Sequence, residues 1–117
     1  MFKRSEDAVV HRFATACRAG SPGAVRSLLT REVVAVSDGG GRVGTPGRSH
    51  GPNEVARRVT ELIVPGVELS VEAVNGQPGV VLRVAGRVVA VVSLRVTGAK
   101  VAAVWIVVNP DKLRHWE

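Results

Sequence analysis

A chain of 117 residues carrying a net charge of +6 can bury one core without metal or disulfide staples and is too short for a second. Its one cysteine, Cys17, excludes an intramolecular disulfide and a paired-cysteine metal site. The excess of 16 basic over 10 acidic residues is scattered along the chain, and two Phe, two Trp and no Tyr are too few for a base-stacking platform, so direct nucleic-acid binding is not expected.

The first seven residues hold no apolar run after their charges, which argues against a signal peptide. The longest uncharged apolar run, 101–108, falls far short of the ~18 residues a membrane span requires. A cytoplasmic location, without a membrane partner, is the expectation.

Residues 6–19 place Val9, Val10, Phe13, Ala16 and Cys17 at three- and four-residue spacing, one face of a helix that Gly20 stops. Ser21 and Pro22 read as the cap and first position of a short second helix, with Val25, Leu28 and Leu29 as its buried stripe. Valine-rich 32–37 runs into Asp38-Gly39-Gly40-Gly41 and then Arg42-Val43-Gly44, a hairpin pattern, and 45–51 reads as loop. A third helix begins near Pro52, with Val55, Val59, Leu62 and Ile63 on one face and Glu54/Arg58 and Arg57/Glu61 as four-apart pairs on the other. Pro65-Gly66 ends it.

The remainder is strand: 67–74, 80–84, 87–96 and 99–108, joined by short turns into a meander. The last two strands are apolar on both faces at their centres, whereas helices can cover only one face of a sheet. An outer face centred on Val89, Val91, Val104 and Ile106 is therefore expected to meet a second copy or a partner domain.

Motifs for catalysis are thin. Gly39, Gly41 and Gly44 spell G-x-G-x-x-G, but Thr45-Pro46-Gly47 forbids the helix that such a phosphate loop needs. His11, His50 and His115 have no ligand spacing, so neither a metal nor a cofactor is expected. Cys17 lies on the buried face of the first helix and reads as a core residue with nothing to activate it. Glu68 and Glu72 share one strand face, which reads as a solvated or interface face.

Two segments stand out together. Asp38-Gly39-Gly40-Gly41-Arg42 occupies the first hairpin, and Asn109-Pro110-Asp111-Lys112-Leu113 follows the last strand, with Val74-Asn75-Gly76-Gln77-Pro78-Gly79 between them. In this order they resemble the SnoaL-like C-terminal extension of a group of extracytoplasmic-function sigma factors, over about residues 6–116. The resemblance implies one domain, 1–117, of the α+β class: a cone-shaped nuclear-transport-factor-2-like fold with three N-terminal helices on a curved antiparallel sheet. It further implies a regulatory part acting on attached polymerase-binding regions, with Asp38, Gly39, Gly40, Gly41, Asn109, Pro110, Asp111, Lys112 and Leu113 as partner-binding residues. The regions that precede such an extension are not in this sequence, so an excised or stand-alone extension, or a paralogue put to another use, is expected.

The wider SnoaL-like group includes polyketide cyclases and isomerases, which place an acid or base in the cone, often with a tyrosine. This chain has no tyrosine. The expectation is a non-catalytic module that modulates transcription through protein contacts, as a homodimer or with a sigma factor or polymerase-associated protein. The alternative is a small cyclase or isomerase acting on an apolar substrate. The implied cone would hold a small apolar ligand against Phe13, Cys17, Val34, Val36, Val55 and Val59, with Trp105 as floor and His50 at the mouth.

Overall fold

A computed structural model describes residues 4–38, 47–108 and 113. Helix α1 (Arg4–Arg18) buries Val9, Val10, Phe13, Ala14, Ala16 and Cys17, the stripe its spacing dictates. Gly20, at φ 67°, turns the chain out of it. Helix α2 (Pro22–Arg26) is capped by Ser21, whose Oγ accepts the Ala24 N–H at 3.2 Å. Leu29, expected on that helix, instead opens strand β1 (Leu29–Ser37).

Strand β2 (Gly47–His50) pairs antiparallel with β1, so the second arm of the first hairpin lies within the segment read as loop, while Arg42-Val43-Gly44 falls outside the described residues. Helix α3 (Pro52–Thr60) buries Val55, Ala56 and Val59. Its expected four-apart ion pairs do not form: Glu54 accepts the His50 backbone N–H at 3.4 Å, and Arg58 lies over Gly47, where any Cβ would strike it.

Strands β3 (Val67–Val74), β4 (Gln77–Val84), β5 (Arg87–Thr97) and β6 (Lys100–Val107) form the antiparallel meander. The six strands are ordered β2-β1-β6-β5-β4-β3 in one curved, unclosed sheet. The sheet is mixed rather than antiparallel throughout, because β1 runs parallel to β6. The helices pack on its inner face around one core.

Register decides which face each strand residue takes. Leu94 pairs with Val104 and Val92 with Ile106, and all four belong to the helix-covered core, with Val104 and Ile106 at 0% and 3% exposure. This corrects the expectation that Val104 and Ile106 lie on the outer face. The outer neighbours of Val91 and Ser93 are Val107 and Trp105. Opposite Leu82 and Arg83, β5 carries a bulge in which Val89 is the extra residue, 39% exposed. Val88 and Val91 instead join Val74, Val81 and Leu113 in a second, outer cluster against which Val107 packs.

Candidate functional site

Parallel pairing of β1 and β6 means that both strands end at the same end of the sheet, and each ends at one of the two sequence motifs. The Asp38 N–H donates to the Ile106 carbonyl at 3.2 Å, and Asp38 Oδ1 accepts the Val108 N–H at 3.2 Å. The first residue of the glycine hairpin thereby holds the residue just ahead of Asn109. Leu113, 4% exposed, then seats on the outer cluster of Val74, Val81, Val88 and Val91. The side chain expected to meet a partner is thus anchored on this chain's own sheet. Gly39, Gly40, Gly41, Asn109, Pro110, Asp111 and Lys112 lie outside the described residues.

The residues expected to line an interior pocket divide between two places. Phe13, Cys17, Val55 and Val59 are at most 2% exposed and meet in one packed core. Burial pushes the Cys17 thiol from its ordinary 9.0 to about 12, against a smaller lowering by the Arg18 charge, which keeps it neutral and unreactive.

Val34, Val36 and Trp105 share a face, but the opposite one. Val33 and Ala35 are the β1 residues that enter the core; Val36 sits beside Trp105 and Val34 beside Ala103, half-buried on the outside. His50 is exposed on β2, paired with Val34.

Concave surface occurs elsewhere. A groove of about 450 Å³ between α1 and α2 is walled by Ala16, Ala19, Ala24 and Leu28, with His11 and Arg12 at its rim. A smaller hollow of about 190 Å³ lies between Glu6, the β3–β4 turn and Arg95. A cleft of about 500 Å³ lies at β3 and is lined by Arg18, Val67, Glu68, Leu69, Ser70 and Arg83.

Beside that third cleft stands a polar cluster. Arg83 Nη1 donates to Glu72 Oε2 at 2.9 Å and to Ser70 Oγ at 3.0 Å, and the Ser70 hydroxyl donates to Glu72 at 2.6 Å. The Ser70 hydrogen bond, aided by Arg83 and opposed by partial burial, draws the Glu72 carboxyl below its ordinary value. The sequence placed Glu68 and Glu72 on one face. It missed Arg83, whose signal was a lone charge between Leu82 and Val84. Among the described residues no group of three or more His, Cys, Asp and Glu could hold a metal ion, and no helix is long and apolar enough to cross a membrane.

No protein-family model and no curated protein matches the sequence. Solved structures do. The extracytoplasmic function sigma factor SigJ of Mycobacterium tuberculosis matches over 96% of this chain with 28% identity and a TM-score of 0.70, and this chain spans 45% of that one. A SnoaL-like protein of unknown function from Burkholderia thailandensis E264 matches 91% of this chain and 96% of its own, with 17% identity and a TM-score of 0.66. A candidate ketosteroid isomerase from Kribbella flavida DSM 17836 matches 88% and 76%, with 18% identity and a TM-score of 0.63. The chain has the SnoaL-like, NTF2-like fold.

Proposed function

We propose that this SnoaL-like domain is a non-catalytic regulatory module that acts on a sigma-factor-type transcription apparatus through protein contacts at the end of the sheet where β1 and β6 finish. The observation that carries this reading is the Asp38–Val108 hydrogen bond at 3.2 Å. It ties the first residue of one motif to the residue just ahead of the other, 70 positions along the chain. The similarity to a sigma factor over nearly the whole chain supports the choice of partner. The isomerase reading draws only on a shared fold, and fold alone does not carry an activity.

Binding to purified polymerase-binding regions of a sigma factor, followed by calorimetry, tests the proposal. Asp38→Asn keeps an oxygen for the Val108 N–H and removes the charge. It should weaken binding about tenfold, the scale of one charge-assisted hydrogen bond, while the melting temperature stays unchanged. Asp38→Asn binding as tightly as the unmutated chain, with Asp38→Ala lowering stability, would reduce Asp38 to a structural clasp. A homodimer contact, if this domain uses one, would centre on Val34, Val36 and Trp105. Sedimentation of Trp105→Glu beside the unmutated chain checks it, since loss of a dimer with the fold retained places the contact there.

A further inference from the structure

Strand β3 forms one edge of the sheet, and the turn that follows it fixes which of its backbone groups face outward. Val74 pairs with Gln77 across a two-residue turn in which Asn75 and Gly76 both take positive φ, so these two residues exchange their backbone hydrogen bonds. Alternation then turns the backbone groups of Glu68, Ser70 and Glu72 toward β4. Those of Val67, Leu69, Val71 and Ala73 point off the sheet.

Two of these outward groups are taken. The Val67 N–H donates to the Val64 carbonyl at 3.1 Å. The Leu69 carbonyl accepts a hydrogen bond of 3.1 Å from Nη2 of Arg18, the last residue of α1. Among the described residues the outward groups of Val71 and Ala73 have no backbone partner. The 500 Å³ cleft follows this edge: it touches Val67 and Leu69, which pack toward the helices, and also Glu68 and Ser70 on the other face. Arg18 lines the same space, beside the strand where a further strand would lie.

The pattern of β3 itself selects the occupant. A two-fold antiparallel pair centred on Val71 sets Val71 against Val71, and Leu69 against Ala73 of a second copy. On the outer face Ser70 then meets Glu72 and Glu68 meets Val74, with no like charges opposite one another. Moving the centre to Ser70 sets Glu68 against Glu72, and moving it to Glu72 sets that carboxylate against itself. Both are repulsive. In the pair centred on Val71, the Ala73 N–H of the second copy donates to the Leu69 carbonyl, the acceptor that Arg18 occupies.

We propose that the free edge of β3 is a self-pairing surface, matched to β3 of a second copy in the register centred on Val71, and that Arg18 keeps it closed by holding the Leu69 carbonyl. An uncovered strand edge is a ready template for another strand, and a charged side chain laid over it is one way to block the pairing. The surface lies three strands from β6 and does not rest on the regulatory reading.

The test is sedimentation of the whole chain and of Arg18→Ala over a concentration series. Arg18→Ala should lower the dimer dissociation constant at least about tenfold, the scale of one hydrogen bond. Adding Ala73→Pro should cancel that gain. Ala73 is exposed and its N–H points away from β4, so proline there removes a donor from the pair and none from the sheet. Amide exchange gives a reading that needs no second substitution. In Arg18→Ala the amides of Leu69, Val71 and Ala73 should gain protection as concentration rises, while those of β2, the opposite edge, stay unchanged. Arg18→Ala sedimenting as the unmutated chain does, a gain that survives Ala73→Pro, or new protection confined to another strand would overturn the proposal.

Discussion

Cys17 illustrates how far a single side chain can be taken. Its folded-state value, about 12, lies above the 9.0 at which the unfolded thiol ionises. Stability from this group is therefore whole below the unfolded value and is lost as pH rises from 9.0 toward 12. Urea midpoints measured at neutral pH and again between those values should fall for the unmutated chain, and less steeply for Cys17→Ala. A second residue-scale strain sits in the β4–β5 turn, where Ala85 takes φ 52° ahead of Gly86 at 81°. The β3–β4 turn makes the same shape with Asn75 at 53° and Gly76 at 79°, and Asn accepts the left-handed region far better than Ala. Ala85→Asn should raise stability by about 0.5–1 kcal/mol in thermal melts. The helix residues Phe13, Cys17, Val55 and Val59 were legible as inward-facing, because a 3.6-residue period marks a face. Whether the inside is hollow or packed is not in that period; it depends on which side chains arrive from the other elements.

Among the elements, helices and meander strands were legible in type and order, although α3 ends at Thr60 and not at Pro65 and β4 begins at Gln77 inside the expected turn; strand faces were not legible. Alternation names the buried face only when the other face is polar, and β6 is apolar on both. The bulge at Val88–Val89 then shifts the parity of β5, so Val88 and Val91 fall in one outer cluster and a face counted along the strand is wrong beyond it. The parallel β1–β6 pair was equally invisible, since nothing local in either strand records a partner about seventy residues away. One packing detail of the outer face is testable. A Cβ on Gly79 would lie 2.5 Å from Val74 Cγ2 and 2.6 Å from the Val92 carbonyl oxygen, and the backbone oxygen cannot swing aside. Gly79→Ala should destabilise the domain by about 1–3 kcal/mol in urea unfolding, with the β3–β4–β5 amides exchanging fastest.

For the whole molecule, the sheet has an outer apolar face that the helices cannot reach, and the chain divides the task of covering it. Toward β3, β4 and β5, Leu113 lies on Val74, Val81, Val88 and Val91, bordered by Val107. Toward β1 and β6, Val34, Val36 and Trp105 remain half-buried. Leu113 is buried in that cluster, at 4% exposure. Truncating a buried leucine to alanine removes its transfer free energy and leaves unfilled space above the valines, so Leu113→Ala should lower unfolding free energy by about 2 kcal/mol. The same change uncovers contiguous valine surface, and such surface finds a partner. Sedimentation should therefore show more self-association in Leu113→Ala than in the unmutated chain, and the excess should vanish when Val81→Lys is added beneath it. Unchanged stability and unchanged sedimentation together would mean that the outer cluster holds without Leu113. The loss of stability with no gain in association would mean that the valines it covers are too recessed for a second copy to reach.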